Sequence, residues 1–588
     1  MTSVTTAIIR IPPVLPHRIL EECLRAAVIQ CLPDAEVDQI VVRSCPDVRF
    51  GDYQSTSLMA LAKPRKINPR KLAEDVIRAL DVPEWIESSE VAGPGFLNFR
   101  IGPEVICRTL ESAIRGEHLF FETTKNPRTF VVDFSSPNVA KPMHVGHIRS
   151  TILGDSLART LRILGHTVIT DNHIGDWGTQ FGKLLLGWKS GLDRQALGTD
   201  ALGELERLYK QTNSRCDADP ALLEGARAEL VKLQDGDPEN LGIWQEMLEL
   251  SRSQFDSIYQ RLGVRFDHTL GESFYNSRLK PIVAEMKDRS LARVSEGAMV
   301  VFFDDHPELK AHPALVQKSD GAANYTTTDL ATLQYRLETW HPDEVVYVTD
   351  GRQQLHFKQL FEIFRRWKSG SPVKLAHVWF GAILGEDGKP FKTRSGDTVK
   401  LADLLDEAEA RALRMVAEKN SDLTDAEQKE VARMVGLGAV KYADLAPNRQ
   451  SDYVFSWDKM LALNGNTAPY LQYAHARIRS IFRKQNLPDD LGVPPQGLSL
   501  STPEEFALCK TLLNFGLVLE AVVSDYRPNY LCNYLYDLAG AFAQFYERCP
   551  VLKAEEPERS NRLAVCQLTG RVLKCGLELL GIESPERM

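Results

Sequence analysis

The stretch that most constrains the fold runs from residue 129 to residue 170. Thr129-Phe-Val-Val-Asp-Phe134 is apolar and β-branched, which predicts a buried strand. Residues 148–164 carry apolar side chains at helical spacing until Gly165, and Thr167-Val-Ile-Thr170 predicts a second buried strand. Strand, loop, helix, glycine and strand make one right-handed βαβ unit with parallel strands. This order places His144-Val-Gly-His147 at a helix N-terminus beyond the carboxyl end of a strand. A doubly wound sheet binds nucleotide phosphates there, because free backbone N–H groups and the helix dipole both favour negative charge.

The expected fold class is α/β with added units. Residues 1–118 predict a small α+β domain: helices over 19–29 and 69–80, strands over 38–43 and 96–101, and a tight turn at Gly93-Pro-Gly95. Its basic group Lys63, Arg65, Lys66, Arg70 and Lys71 suits phosphate contact and an ordinary solvated surface equally well. Residues 119–400 predict a Rossmann-type parallel-sheet domain, split by a charged helical insertion over about 190–262. Ala298-Met-Val-Val-Phe-Phe303, Glu344-Val-Val-Tyr-Val-Thr349 and the apolar run 377–384 are expected to resume the sheet. From Leu401 the chain reads as helical: a connecting region over 401–457, then an all-α domain over 458–588 broken at 487–495.

A chain of 588 residues with 43% hydrophobic and 25% charged content is expected to form several water-soluble globular domains. The start lacks a basic leader followed by a long apolar run, and no window reads as apolar enough to cross a bilayer. A cytoplasmic protein with no membrane partner is expected. The 10 cysteines form no Cys-x-x-Cys and none sits with histidine at zinc-ligand spacing, so they are expected to be reduced and mostly buried, with no protein metal site. A net charge of −9 argues against indiscriminate coating of nucleic acid, but leaves room for gripping a folded RNA through local basic patches.

Two clusters carry chemistry. His144 and His147, three residues apart at a helix start, face the same way, and Gly146 between them leaves space for a flat purine. Their imidazoles are suited to donating hydrogen bonds to phosphoryl oxygens during displacement at an α-phosphate. A helix cap with packed histidines is the alternative for so short a pattern. Downstream, Gly385-Glu-Asp-Gly-Lys-Pro-Phe-Lys-Thr-Arg-Ser-Gly396 is a glycine-rich loop whose Lys389, Lys392 and Arg394 are suited to neutralising a pyrophosphate leaving group. Alone it reads as an exposed basic hairpin; together with the histidines it makes the two halves of an adenylation site.

Longer segments resemble the class I arginyl-tRNA synthetase family almost end to end. They are Ser135-Ser-Pro-Asn-Val-Ala-Lys-Pro-Met-His-Val-Gly-His147, Asp171-Asn-His-Ile-Gly-Asp-Trp-Gly178, Tyr325-Thr-Thr-Thr-Asp329, Gln353-Gln-Leu-His-Phe357, Asn466-Thr-Ala-Pro-Tyr-Leu-Gln-Tyr-Ala-His-Ala-Arg477 and the ending Leu580-Gly-Ile-Glu-Ser-Pro-Glu-Arg-Met588. The resemblance implies activation of L-arginine with ATP to arginyl-adenylate, then transfer to the 3′-terminal ribose of tRNA(Arg). It implies that activation needs tRNA, that the protein is a monomer, that Mg2+ arrives with ATP, and that the first unit meets the outer corner of the tRNA. By position, Ser136, Pro137, Asn138 and His147 would hold the amino acid's backbone groups. Glu272, Tyr325, Asp329 and Gln353 would line the arginine pocket. Acidic walls suit a planar, permanently charged guanidinium. Alone, Glu272 reads as a surface turn residue and Asp329 as a helix cap. Tyr470, Tyr473, His475, Arg477 and Arg479 combine rings and cations as anticodon-loop binding requires, against the alternative of an ordinary packed helix.

One departure concerns the loop, where Lys392-Thr-Arg-Ser395 stands in place of the class I Lys-Met-Ser-Lys. Family members with this change are thought to compensate with a lysine ahead of the histidines, the place of Lys141. Three other readings compete: a class I synthetase for cysteine or glutamine, which should lack the acidic pair; a small-molecule adenylyltransferase, which needs no long helical C-terminus; and a non-catalytic RNA-binding paralogue, which usually loses the histidines.

Overall fold

The computed structural model describes residues 15–391, 398–419, 422–488 and 490–588. Its central sheet has four parallel strands in the order Lys374–His377, Glu344–Tyr347, Thr129–Asp133, Thr167–Asp171. The connection from Thr129–Asp133 through the helix Val145–Ile163 leads to one side, and the strand Glu344–Tyr347 lies on the other. Strand order therefore reverses at Thr129–Asp133, where an open parallel sheet leaves a crevice at its carboxyl edge. Under that edge, the buried Arg336 guanidinium bridges Asp133 (2.7 Å) and Asp171 (2.8 Å), fixing the ends of two neighbouring strands. Removing one member of such a buried set would leave an uncompensated charge, at a cost of roughly 3–5 kcal/mol.

The helical insertion is four helices, Arg194–Thr199, Ala201–Ala218, Pro220–Gln234 and Pro238–Leu262, each started by an aspartate cap, at Asp193, Asp200, Asp219 and Asp237. Glu344–Tyr347 resumes the parallel sheet after it, but the segment from Ala298 does not. Ala298–Val301 pairs antiparallel with Arg293–Ser295 and Ala314–Gln317 in a separate three-stranded sheet. Its alternating burial shows the half-buried strand of an antiparallel sheet, where a doubly covered parallel strand is buried throughout. The 377–384 run is also divided: Lys374–His377 ends in the main sheet, and Ile383–Leu384 pairs with Tyr453–Val454.

In the first unit, helices Pro16–Cys31, Ser57–Arg65 and Pro69–Ala79 accompany a four-stranded antiparallel sheet. The strand expected over 38–43 is instead a 3-10 turn, Val37–Gln39, followed by only a short strand, Arg43–Ser44. Beyond Leu401 the structure is helical apart from Tyr453–Val454. The sequence reading missed one apolar stretch there, Pro503–Asp525, whose mean hydropathy is 1.7. It is two helices meeting at Asn514, and Leu508, Leu512, Leu519 and Val522 are buried in the main core, so its hydrophobicity serves packing. The last nine residues fold back across the helices Asp425–Leu445 and Ala468–Lys484. Lys441 donates to Gly581 O, Arg433 pairs with Glu583 (2.8 Å), and Arg479 pairs with Glu586 (2.6 Å).

Candidate active site

His144 is the N-cap of the helix Val145–Ile163. Its Nδ1 accepts from the Gly146 N–H (3.0 Å), while His147 Nδ1 accepts from the His144 N–H (3.1 Å). The two rings lie 3.9 Å apart between centroids. With both Nδ1 atoms accepting, each neutral imidazole carries its proton on Nε2. Burial, then the neighbouring ring, lowers the His147 pKa to about 3; burial, Arg352 and Lys141 lower that of His144. The capping alternative and the catalytic one thus describe the same residues: Nδ1 ends the helix and Nε2–H remains available as a neutral donor. Gly146 is exposed, and a Cβ there would lie 2.8 Å from the His144 ring, so glycine keeps that imidazole in place as well as leaving the surface open.

The loop leading to these histidines has unusual backbone. Ser135 (φ 74°), Ser136 (φ 49°) and Ala140 (φ 61°) occupy the left-handed region, which costs a side-chain-bearing residue on the order of 1–2 kcal/mol each. Contacts from the helix Pro238–Leu262 and from the segment after Thr167–Asp171 hold it. The Ser135 hydroxyl lies 2.8 Å from the Tyr259 hydroxyl, the Ser136 N–H donates to Asn172 Oδ1 (3.0 Å), and the Ala140 N–H donates to Ser251 Oγ (3.0 Å). Gly175 N–H donates to Pro137 O (3.0 Å), and a Cβ on Gly175 would sit 2.3 Å from Asn138 Oδ1. Ser136 is half-buried and Asn138 exposed beside this junction, while Pro137 is buried. Tyr259 and Ser251 belong to Pro238–Leu262, so the insertion helps to shape the loop.

The acidic pocket lies beside it. Glu272 opens a 3-10 turn after Gly271, its N–H bonded to Ile174 O (3.1 Å). It is half-buried, and burial, with Asp329 and Asp176 adding to it, pushes its pKa up to about 7. The Trp177 N–H and the His173 ring act in the opposite direction. Asp329 lies within the helix Tyr325–Trp340 rather than at its cap, and accepts from His356 Nε2 (2.5 Å). Tyr325 stacks edge-on against that imidazole, 4.8 Å between centroids, with its own ring largely exposed. Gln353 is exposed at the turn that begins the His356 helix. Sequence reading missed His356 as the group orienting Asp329, and His173, whose Nδ1–H donates to Leu270 O (3.1 Å) and whose Nε2 is buried without a partner. Both lie inside motifs quoted for the resemblance, so the signal was present. The charge of Asp329 helps to raise the Glu272 pKa, so the two carboxylates sense one another, and a cation between them would relieve both.

Lys392 and Arg394 lie outside the described residues. Lys389 is exposed on a turn where Gly385 N–H donates to Lys389 O (2.7 Å). Past that loop, Val145 N–H donates to Val399 O (3.0 Å) and Leu401 N–H to Met143 O (2.9 Å), so the loop's far end is joined to the histidine motif. On Ala468–Lys484, Tyr473 is exposed, Tyr470 lies 5.7 Å from Tyr536, and Arg477 stands over Tyr546 (4.5 Å). Tyr536 and Tyr546 extend this face and were not foreseen, because they come from another helix, Asn529–Arg548. His475 does not join it: the ring is 1% exposed, against Pro585 O (3.3 Å). The helical repeat turns residue 475 inward when 470, 473 and 477 face out. Arg479 is paired with Glu586.

The profile described as tRNA synthetases class I (R), catalytic domain, matches residues 109–457. That for the arginyl tRNA synthetase N terminal domain matches 18–101, and that for the DALR anticodon binding domain matches 471–588. The chain belongs to the arginyl-tRNA synthetase family. It is similar to the arginine–tRNA ligase of Citrobacter koseri, 47% identical over 555 residues covering 93% of this chain and 95% of that one. The corresponding ligase of Escherichia fergusonii is 46% identical, over 97% and 99% of the two chains. The solved arginyl-tRNA synthetase of Plasmodium falciparum superposes with a TM-score of 0.83 at 29% identity, over 98% of this chain and 100% of that one. This synthetase is a ligase that uses ATP to join arginine to tRNA(Arg) through arginyl-adenylate.

Proposed function

We propose that arginine binds with its guanidinium between Glu272 and Asp329, and that ATP lies over Gly146 with its α-phosphate beside His144 and His147. What supports this reading is the half-buried Glu272, whose pKa is pushed up to about 7 by burial with Asp329 and Asp176 adding to it, since a guanidinium there would offset both carboxylates. Tyr325 and Gln353 flank the guanidinium, and Ser136, Pro137 and Asn138 form the edge that meets the amino acid's backbone groups. The arginine carboxylate attacks the α-phosphate; pyrophosphate leaves. His144 and His147 donate from Nε2 to the phosphoryl oxygens as charge builds, while Lys141, with Lys389, Lys392 and Arg394 of the loop, neutralises the leaving group. The terminal 2′-OH of tRNA then attacks the adenylate carbonyl, the acyl–phosphate bond breaks, and AMP leaves as the hydroxyl proton passes to its phosphate or to solvent. His144, His147 and Lys141 are nitrogen donors unsuited to a hard cation, so Mg2+ would be held by the phosphates of ATP and would help to neutralise their charge. The protein acts as a monomer in the cytoplasm, without a membrane partner.

The pH dependence of arginine binding tests the pocket. The Glu272 pKa in the fold lies above its ordinary 4.5, so the fold favours the protonated form up to about pH 7. The free protein loses stability from this group as pH rises from 4.5 through about 7, and arginine restores it by pairing with the carboxylate. Arginine binding is therefore expected to release a proton near pH 7. KM for arginine should rise below that pH, approaching ~10-fold per unit. Calorimetry in buffers of different ionisation enthalpy checks this, and no proton release between pH 6 and 7 would contradict it.

Tyr470, Tyr473 and Arg477, extended by Tyr536 and Tyr546, bind unstacked anticodon bases. Tyr470→Ala is expected to raise KM for tRNA about 5- to 100-fold, as loss of one base-stacking ring does, with KM for ATP unchanged. Steady-state charging at varied tRNA and varied ATP separates the two; an effect mainly on ATP would count against this face.

A further inference from the structure

Lys141 follows Ala140 on the strained loop, and its ammonium stands 4.9 Å above the ring centre of Tyr209. Tyr209 belongs to the helix Ala201–Ala218 of the insertion and is itself partly buried against the main core, so the ring is a fixed platform. The same helix makes a second contact with the segment beside the histidines: its N-cap, Asp200, accepts from Gly203 N–H (3.0 Å) and lies 3.6 Å from Lys400 Nζ. Lys400 is joined through its backbone to His144. One insertion helix thus contacts two lysines next to His144, one through the chain and the charge it exerts on that ring, the other through a backbone bridge. A lysine has a flexible four-carbon stem, so an aromatic face that fixes its end determines where the charge sits.

We propose that Tyr209 is a positioning residue for adenylation: its ring holds the Lys141 ammonium beside His144, so that the charge stands ready where the triphosphate will lie. This rests on the reading of Lys141 as the cation that compensates for the altered loop. The insertion then has a part in the chemistry as well as in packing. It supplies the neutral, polarisable support that a carboxylate could not give, because a carboxylate would pair with the ammonium and compete with phosphate.

Single-turnover formation of arginyl-adenylate with saturating tRNA tests it on the full-length chain. Lys141→Ala is expected to slow activation by ~10². Tyr209→Leu, which fills space without a π face, should slow it about 5- to 10-fold, and Tyr209→Phe should restore a rate within about twofold of the unsubstituted protein. The double variant Tyr209→Leu with Lys141→Ala should be no slower than Lys141→Ala alone. If Lys141→Ala activates normally, the reading of Lys141 fails. If Lys141→Ala is slow but Tyr209→Leu is normal, or slows the Lys141→Ala protein by the same factor as the unsubstituted one, the positioning role alone is overturned, since a purely structural ring would act independently of the lysine.

Discussion

Glu272→Gln is expected to raise KM for arginine by about 10² or more while leaving KM for ATP within a small factor. The guanidinium would keep Asp329 but lose one wall of its pocket, and removing one partner of a desolvated charge pair costs roughly 3–5 kcal/mol. Gln matches the volume and can still accept one hydrogen bond, so the change isolates the charge. The same substitution removes the carboxylate that burial holds protonated up to about 7. The empty variant should therefore be at least as stable as the original at pH 8, and arginine should bind without proton release. Amino-acid-dependent kinetics at pH 8, with thermal unfolding of the same preparations, check both halves. Parallel loss of ATP and arginine binding would mean that Glu272 supports the fold instead. On this reading a neutral amino acid leaves Glu272 without a cation and Asp329 with His356 alone, and sites built to pair with a substrate's polar group reject analogues by about 10⁴–10⁵ without a hydrolytic step.

The second large effect is expected at His147. His147→Asn should slow adenylate formation by about 10²–10³, as loss of one preorganised donor to developing phosphoryl charge does. KM for arginine should move by a smaller factor than the rate, because His147 is also expected to touch the amino acid. Asparagine supplies an acceptor for the His144 N–H, so the helix start keeps its cap and the loss reports the Nε2 donor. Because His147 is neutral down to about pH 3, its protonation gives no acid limb to the activation rate between pH 6 and 8. Rapid-quench measurement of adenylate formation across that range checks both; a His147→Asn protein with the original rate would remove His147 from the chemistry.

The βαβ unit was legible because its signals are local: two β-branched runs, helical spacing between them, and Gly165 at the stop. The structure adds the parallel pairing of Thr129–Asp133 with Thr167–Asp171. Ala298–Val301 was legible as a strand but misassigned to the main sheet, since an apolar run of four residues carries no record of its partner. The residues 38–43 failed for a related reason: Val37–Gln39 forms a 3-10 turn that β-branched composition does not exclude. At the site, residue types and spacing pointed to His144, His147 and the loop. The acidic pair was reached only through family resemblance, because 57 positions separate Glu272 from Asp329 and only the fold brings them together. His475 shows the converse: composition grouped it with Tyr470 and Arg477, and the helical repeat turned it into the core.

The measurement that bears most directly on the site is a crystal structure with 5′-O-[N-(L-arginyl)sulfamoyl]adenosine, a stable analogue of the adenylate. The guanidinium should lie about 3 Å from carboxylate oxygens of both Glu272 and Asp329, and the sulfamoyl oxygens at hydrogen-bond distance from His144 or His147 Nε2, with adenine over Gly146. A guanidinium bound away from either carboxylate, or a sulfamoyl group remote from both imidazoles, would contradict this arrangement.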